Sequence, residues 1–540
     1  MRSEKLPSLP APVFSLTLGA CILIYILNLR LDVMEVDAAQ YASIGMEMLM
    51  NGSWLEVYHR GADYLDKPPL LFWLNAASMA LFGINSFAAK LPGMLALLLA
   101  LISLFRFCQI WYNEQTAKLA CLVLASSQAF FLMSNDVKTD GLLTGFIMLA
   151  LWQGSVLLKE RSRSSIMLFS LALALALMTK GPLGFILPCG AIGLHLILTR
   201  QLKLLLRKEL LLILPLVALL ISPMCIGLYE QFDMHPEKEV YGLKGPSGLR
   251  FFFYTQSFGR LTGEIYWNNG APWHFFLLSM LWDFAPWVLF FWSAIISMIK
   301  NSAIRKQIPE FMSLALFAIG MLGLSASNYK LPHYIFPLFP ACAIPVAVFL
   351  QQQQTNIVLR LSLKILALLF SIVPLIAFAL IFPANTPAWL FALMNLFCVV
   401  YFGFLLRKEL WALFISLSAF GMVLSLWFYP ELLGFQSSST AGHYISENSS
   451  PSDNIFFHQV HGHALDFYSG RISRAYNKEA TRRDWIYTTQ SHGDSLLRSG
   501  DWELKADMND FHISRLSGKF LFSENKKTYC KKIYLMQKIK

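Results

Sequence analysis

A chain of 540 residues that is 56% hydrophobic and 14% charged, with a mean hydropathy of +0.51, has more apolar surface than a soluble core can hide. That excludes a soluble globular protein and points to a polytopic membrane protein. The net charge of +11 needs no nucleic-acid partner, because cytoplasmic loops rich in Lys and Arg give the same excess.

The first apolar run, residues 13–29, follows Arg2 and Lys5 and is long enough to span a bilayer. No small-residue cleavage site follows, so it reads as a retained first helix. Residues 31–68 form an acidic loop carrying Asp32, Glu35, Asp37, Glu47, Glu56, Asp63 and Asp66. Within it, "DAAQYASIGMEMLMNGSW" puts Tyr41, Ile44, Met48 and Leu49 on one helical face. This predicts a helix lying on the membrane surface, stopped at Asn51-Gly52, with Asp37 placed to cap its start. In "YLDKPPLLFW", Asp66-Lys67 stand directly before Pro68-Pro69, which fix the entry into a short interfacial segment over residues 69–83.

Apolar runs then predict about thirteen spans, near 12–30, 87–111, 116–134, 141–158, 165–179, 182–199, 209–229, 273–299, 310–327, 333–350, 357–381, 387–406 and 409–429. With the N-terminus inside, the cytoplasmic loops carry Arg106, Lys118, Lys159, Arg161, Arg163, Arg200, Lys203, Arg207, Lys208, Lys300, Arg305, Lys306, Arg360, Arg407 and Lys408. This is the positive-inside pattern, and it puts the C-terminal tail outside. The outer loop over residues 230–272 is long enough for a lid or binding loop. From Ser437-Ser438-Ser439-Thr440 onward the chain turns polar, with strand-like "NIFFHQV", "DWIYTTQ", "KFLFSE" and "KIYLMQ". The expected organisation is a transmembrane domain over residues 1–430, with outer loops 31–86 and 230–272 forming its working face, and a small soluble α/β domain over 431–540. His458, His461 and His463 lack a carboxylate or Cys at ligand spacing and read as a polar strand end rather than a metal site. The eight cysteines are scattered, most in apolar runs, with no disulfide framework.

Five basic residues stand against the topological preference: Lys67, Lys138, Lys180, Arg260 and Lys330. They occur in "LDKPPL", "SNDVKTDG", "MTKGP", "FGRLTGE" and "SNYKLPHY", all at the outer face. Cations near hydrocarbon on the outer face point to an anion bound at the membrane surface. The plainer alternative for each is snorkelling, or pairing with Asp66, Asp136 or Asp140.

The order "EVDAAQYA", "DKPPLLFW", "DVKTDG", "MTKGPLG", "YKLPHYIFP", followed by a soluble tail, resembles the bacterial aminoarabinose transferases that modify lipid A. These belong with the protein O-mannosyltransferases in the GT-C superfamily. The resemblance covers about residues 15–430 and is strongest over 34–93. It implies a sugar donor on undecaprenyl or another polyprenyl phosphate, used on the outer face of a bacterial inner membrane. It further implies a lipid A, glycan or protein acceptor, no required cofactor, and a monomer. Matched by position, Asp37 and Asp140 take the acidic catalytic places, and Lys67, Arg260 and Tyr334 take those contacting the lipid phosphate. Lys180 and Lys330 are further phosphate candidates; Asp66, Tyr41, Asp136, Lys138 and His333 are candidates for sugar or acceptor. Two departures stand out. Asp37-Ala38-Ala39-Gln40-Tyr41-Ala42-Ser43 replaces a motif reading approximately Asp-Glu-x-Arg-Tyr-Ala-Glu, and Ser257 stands where a His is usual. Asp66 also replaces the usual Glu.

On this reading, cations stabilise the charge that grows on a leaving phosphate, and displacement proceeds with inversion. A hydroxyl acceptor needs a carboxylate base; a phosphate acceptor leaves Asp37 to position the sugar. Two rivals remain: a divalent cation held by Asp37, Asp66 and Asp140, and a lipid or solute transporter, which would place its ionisable groups at mid-membrane.

Overall fold

Inside hydrocarbon every backbone N–H and C=O must be satisfied within its own segment, so the apolar runs become helices. The computed structural model describes residues 11–160, 162–256, 258–259, 269–301, 308–353, 356–460, 462–477 and 479–540. Its first helices are α1 (Ala11–Asn28), α2 (Asp37–Asn51), α3 (Leu70–Phe82), α4 (Ser86–Trp111) and α5 (Glu114–Ala125). They are followed by α6 (Gln128–Ser134), α7 (Thr139–Lys159), α8 (Arg163–Lys180), α9 (Leu183–Leu198) and α10 (Ile213–Leu228). Further apolar helices follow up to Leu433. Among the described residues, eight helices are long and apolar enough to cross a membrane, or ten if the bent pairs α5–α6 and Phe275–Asp283 with Val288–Lys300 each count as one span. Shorter apolar helices, α1, α9 and Met312–Ala326, stand at the remaining predicted positions.

Basic loops meet at one end of this bundle. Lys159 Nζ donates to Ile110 O at 2.6 Å and lies 4.3 Å over the Trp111 ring. Arg207 donates to Leu157 O at 2.7 Å, and Arg360 pairs with Glu409 at 2.7 Å. The opposite helix ends carry the acidic outer loop. Close helix crossings require small residues: a Cβ on Gly145 of α7 would stand 2.5 Å from Ala96 O of α4, and one on Gly45 of α2 would stand 2.8 Å from Asn75 Cβ of α3. At the acidic end, the fully buried Lys90 of α4 donates to Asn28 O (3.1 Å), Leu31 O (2.7 Å), Asp32 O (3.3 Å) and Asn135 Oδ1 (2.7 Å). One cation thereby satisfies the orphan carbonyls after α1.

Two expectations about α2 are corrected. It is not laid on the lipid surface: ten of its residues, from Ala38 to Met48, are buried, Ser43 and Glu47 among them. Nor does Asp37 cap it; the cap position is Val36, with no side-chain cap bond, and Asp37 sits in the first turn. Gly52 (φ +67°) ends the helix as predicted.

α2 is covered by α3, where Tyr41 meets the Phe72 ring edge-on, and by the C-terminal domain. After the helix Ser437–Asn448 comes a five-stranded mixed sheet in the order β2 (Arg474–Ala475), β1 (Ile455–His458), β3 (Trp485–Thr489), β5 (Lys531–Lys538), β4 (Trp502–Asp510). β1 runs parallel to β2 and β3, and β5 is antiparallel to β3 and β4. "KFLFSE", expected as strand, begins instead with the short helix Gly518–Leu521, capped by the Ser517 hydroxyl. The Ser437–Ser439 run that opens the polar region is buried in the packed first turn of its helix. His458 stacks on His492 at 3.9 Å between ring centroids, while His463 packs on His59 at 4.9 Å, so they have different neighbours; His461 lies outside the described residues.

Docking joins buried charges. Arg60, beyond α2, pairs with Asp466 at 2.6 Å and stacks over Phe457 at 4.5 Å, and Glu47 accepts from the backbone N–H groups of Arg60 (2.7 Å) and Gly61 (2.8 Å). Burial pushes the Glu35 carboxyl up to about 7, with Asp466 adding to the rise and the donors Ala464 N and Ser438 Oγ, together with Arg60, opposing it. A raised folded value means the folded state keeps a proton that the unfolded chain has lost, so stability present below pH 4.5 is lost as pH rises through 7. The expected loss is on the order of 3 kcal/mol. Thermal unfolding measured from pH 4.5 to 8 should show this slope, and Glu35→Gln should flatten it.

Candidate active site

Helix ends of opposite polarity build the site. α8 stops at Lys180 because Gly181 (φ +64°) and Pro182 follow, which leaves a cation on a helix C-terminus. α7 begins at Thr139, so Asp140 lies in its first turn, where a carboxylate is favoured. The two ends meet: Lys180 Nζ stands 2.5 Å from Asp140 Oδ1 and 4.1 Å over the Tyr334 ring. Tyr334 and His333 come from the 3-10 turn Pro332–Leu338, with His333 Nε2 3.8 Å from Asp140 Oδ2. Lys67, just before Pro68-Pro69, pairs with Asp66 at 2.6 Å, and Gln256 Nε2 donates to Asp66 O. Lys138 pairs with Asp136 at 3.1 Å.

These groups surround a cavity of about 180 Å³. Nine predicted residues line it: Asp37, Tyr41, Asp66, Lys67, Lys138, Asp140, Lys180, His333 and Tyr334. Its lysines are each paired with a carboxylate, whereas the Asp37 carboxylate makes no hydrogen bond or ion pair with any described residue. Burial works against the Lys138 charge, but Asp136, Asp37 and Asp140 outweigh it and raise its pKa, so it stays protonated. Burial, reinforced by the nearby carboxylates, also pushes the Tyr41 phenol well up, leaving a neutral donor.

Beside the cavity runs a groove of about 290 Å³ lined by Leu183, Ile186, Leu187, Ile319, Leu324 and Phe258. Lys67, Lys180 and Tyr334 line both spaces. A polar chamber with three lysines thus opens, past two of them, onto an apolar channel.

Three predicted residues are not among those lining the cavity. Lys330 is buried elsewhere: its Nζ donates to Ala271 O at 3.0 Å and its N–H to Asn269 Oδ1 at 3.2 Å, so it clasps the end of the long loop. Asp136 spends its oxygens on Lys138 and on the Val137 N–H. Arg260 and the neighbouring Ser257 lie outside the described residues. Gln40, Thr139, Tyr329 and Leu331 line the cavity without having been predicted. Gln40 had a usable signal, one helical turn from Asp37; the other three are legible only as neighbours of predicted residues. No group of three His, Cys, Asp or Glu side chains able to hold a metal ion is found among the described residues, and both Asp66 and Asp140 are engaged by lysines.

The family model for dolichyl-phosphate-mannose-protein mannosyltransferase matches residues 66–226. An uncharacterised protein of Aquifex aeolicus is 27% identical over 477 residues, covering 87% of this chain and 89% of that one. The undecaprenyl phosphate-alpha-4-amino-4-deoxy-L-arabinose arabinosyl transferase of Photorhabdus laumondii is 24% identical over 432 residues, covering 77% of this chain and 72% of that protein. The crystal structure of ArnT from Cupriavidus metallidurans bound to undecaprenyl phosphate superposes with a TM-score of 0.72 at 17% identity, covering 96% of this chain and 97% of the other. The chain is a glycosyltransferase that resembles the GT-C aminoarabinose transferases. This glycosyltransferase gathers its ionisable groups at one end of the helices, and the comparisons lend the transporter alternative no support.

Proposed function

We propose that this glycosyltransferase moves a sugar from a polyprenyl phosphate, such as undecaprenyl phosphate, to an acceptor on the periplasmic face of a bacterial inner membrane. The observation that carries the reading is the shared wall of Lys67, Lys180 and Tyr334 between the charged cavity and the apolar groove. An amphiphile with an anionic head and an isoprenoid tail matches both halves, the phosphate at the two lysines and the tail along Leu183 and Leu187. The basic loops at the opposite end of the bundle support a periplasmic site.

In the proposed step an acceptor oxygen attacks the anomeric carbon, the bond from that carbon to the phosphate oxygen breaks, and its electron pair stays on the phosphate. Lys67 and Lys180 neutralise the charge that develops there, and Tyr334 packs beside it. Asp37 takes or orients the acceptor proton, and attack opposite the phosphate inverts the anomeric centre. Asp140 holds Lys180 in place. Tyr41, Lys138, His333 and Asp66 line the space left for sugar and acceptor. The names of the relatives support an aminoarabinose donor on undecaprenyl phosphate, while the departures at Ala38, Gln40 and Ser43 remove polar groups that could hold sugar or acceptor and favour a different fit there.

The test is transfer in detergent from a polyprenyl-phosphate-linked sugar. Lys67→Ala should raise the donor KM about 10-fold or more, the scale of a lost charge-assisted phosphate contact. Treatment with EDTA should leave turnover within about twofold, because the lysines already supply the neutralising charge. No transfer from any such donor, or an unchanged rate for Lys67→Ala, would overturn the reading.

A further inference from the structure

Asp37 is the cavity carboxylate that no hydrogen bond or ion pair with a described residue holds, although the Lys138 charge lies close enough to feel it. Its position is inherited from the backbone before it, and that backbone is bonded to the C-terminal domain. Gln436 grips it on both sides: its Nε2 donates to Val33 O at 3.0 Å, and its Oε1 accepts from Glu35 N at 2.8 Å. Tyr468 Oη accepts from Val33 N at 2.6 Å and bonds Ser86 Oγ, at the start of α4, at 2.7 Å. The Glu35 side chain completes the clasp, its Oε1 accepting from Ser438 Oγ at 2.9 Å and from Ala464 N at 2.7 Å.

These partners lie about 400 residues from the segment they hold, and Gln436, Ser438 and Ala464 are all buried. The held segment runs straight into the first turn of α2: Ala39 N donates to Met34 O at 3.1 Å and Gln40 N to Val36 O at 3.1 Å. A displacement of residues 33–35 is therefore a displacement of Asp37.

We propose that the C-terminal domain is a working part of the transfer site, with Gln436 and Glu35 as positioning residues that set where the Asp37 carboxylate stands. This rests on the reading above, in which Asp37 serves the transfer. Misplacing a reacting group by about 1 Å can cost about 10²-fold in rate, and a side chain without partners has no other restraint. No residue of the domain is among those lining the cavity or the groove, so its contribution is to position and not to donor binding.

The experiment uses the full-length protein in detergent, measuring kcat, donor KM and, independently, binding of undecaprenyl phosphate. Gln436→Ala and Glu35→Ala should lower kcat about 10- to 100-fold with donor KM and binding within about twofold. Glu35→Gln, which keeps the accepting oxygen, should retain most of the rate. In an Asp37→Asn background, Gln436→Ala should change the residual rate by less than about twofold, because the two substitutions remove the same contribution. If Gln436→Ala lowers donor binding and kcat in parallel, or slows Asp37→Asn as much as it slows the wild type, the domain acts only on stability and the proposal falls. A wild type that fails to bind undecaprenyl phosphate overturns the functional reading and this proposal with it; a parallel loss in a donor-binding protein overturns this proposal alone.

Discussion

Asp37→Asn is expected to lower kcat by about 10²- to 10⁴-fold, the range for loss of a general base, with undecaprenyl phosphate binding unchanged. Each of the three lysines in the cavity faces a paired carboxylate, which keeps Asp66, Asp136 and Asp140 occupied. Among the described residues, Asp37 is the carboxylate that enters the cavity unpaired, at the first turn of α2. A carboxylate held by a lysine is a poor base, because accepting a proton means giving up the ion pair; a free one gives up nothing. Asn keeps the size and one accepting oxygen, so folding should survive, and single-turnover transfer read beside a binding assay separates chemistry from affinity. A rate within about threefold of wild type would remove Asp37 from the mechanism and return the role of base to Asp140.

Lys180→Ala is expected to lower kcat/KM by about 10²- to 10³-fold, the scale of losing one preplaced stabiliser of developing charge, and to lower stability as well. Lys180 lies where the cavity meets the groove, and its removal strands the buried Asp140. Removing one partner of a buried pair costs about 3–5 kcal/mol. The two effects can be told apart. Lys180→Ala with Asp140→Asn removes the stranded charge, so folded yield and melting temperature should recover toward wild type while transfer stays low. Recovery of transfer in the double variant would show that Lys180 serves only to neutralise Asp140.

Much of this molecule was legible in its residues because the bilayer makes local demands. A segment in hydrocarbon must satisfy its own backbone, so apolar length alone placed the helices. The cavity was legible for a related reason: Lys67, Lys138 and Lys180 stand where the positive-inside expectation disfavours them, next to helix ends set by Pro68-Pro69, Thr139 and Gly181. The structure brings all three into one chamber. Lys330 carried the same signal yet turns to a loop carbonyl, because charge near a membrane edge does not say whether its partner will be a ligand or a neighbouring carbonyl.

Tertiary structure alone decided what covers α2. An apolar face reports removal from water, and lipid or protein satisfies it equally well, so the pattern of Tyr41, Ile44 and Met48 could not reveal the domain packed over it. The buried Glu47 is satisfied by the backbone N–H groups of Arg60 and Gly61, and Ser43 by Gln40 O, partners that the periodicity of α2 does not show. Ser437–Ser439 mark only a turn to polar sequence, since a hydroxyl with a partner and one in water look the same there; in the fold they bond Tyr487, Asp510, Glu35 and Gln436. The helices and the cations were set by local chemistry. The placing of Asp37 was set by contacts about 400 residues away, which no periodicity encodes and only the folded chain brings together.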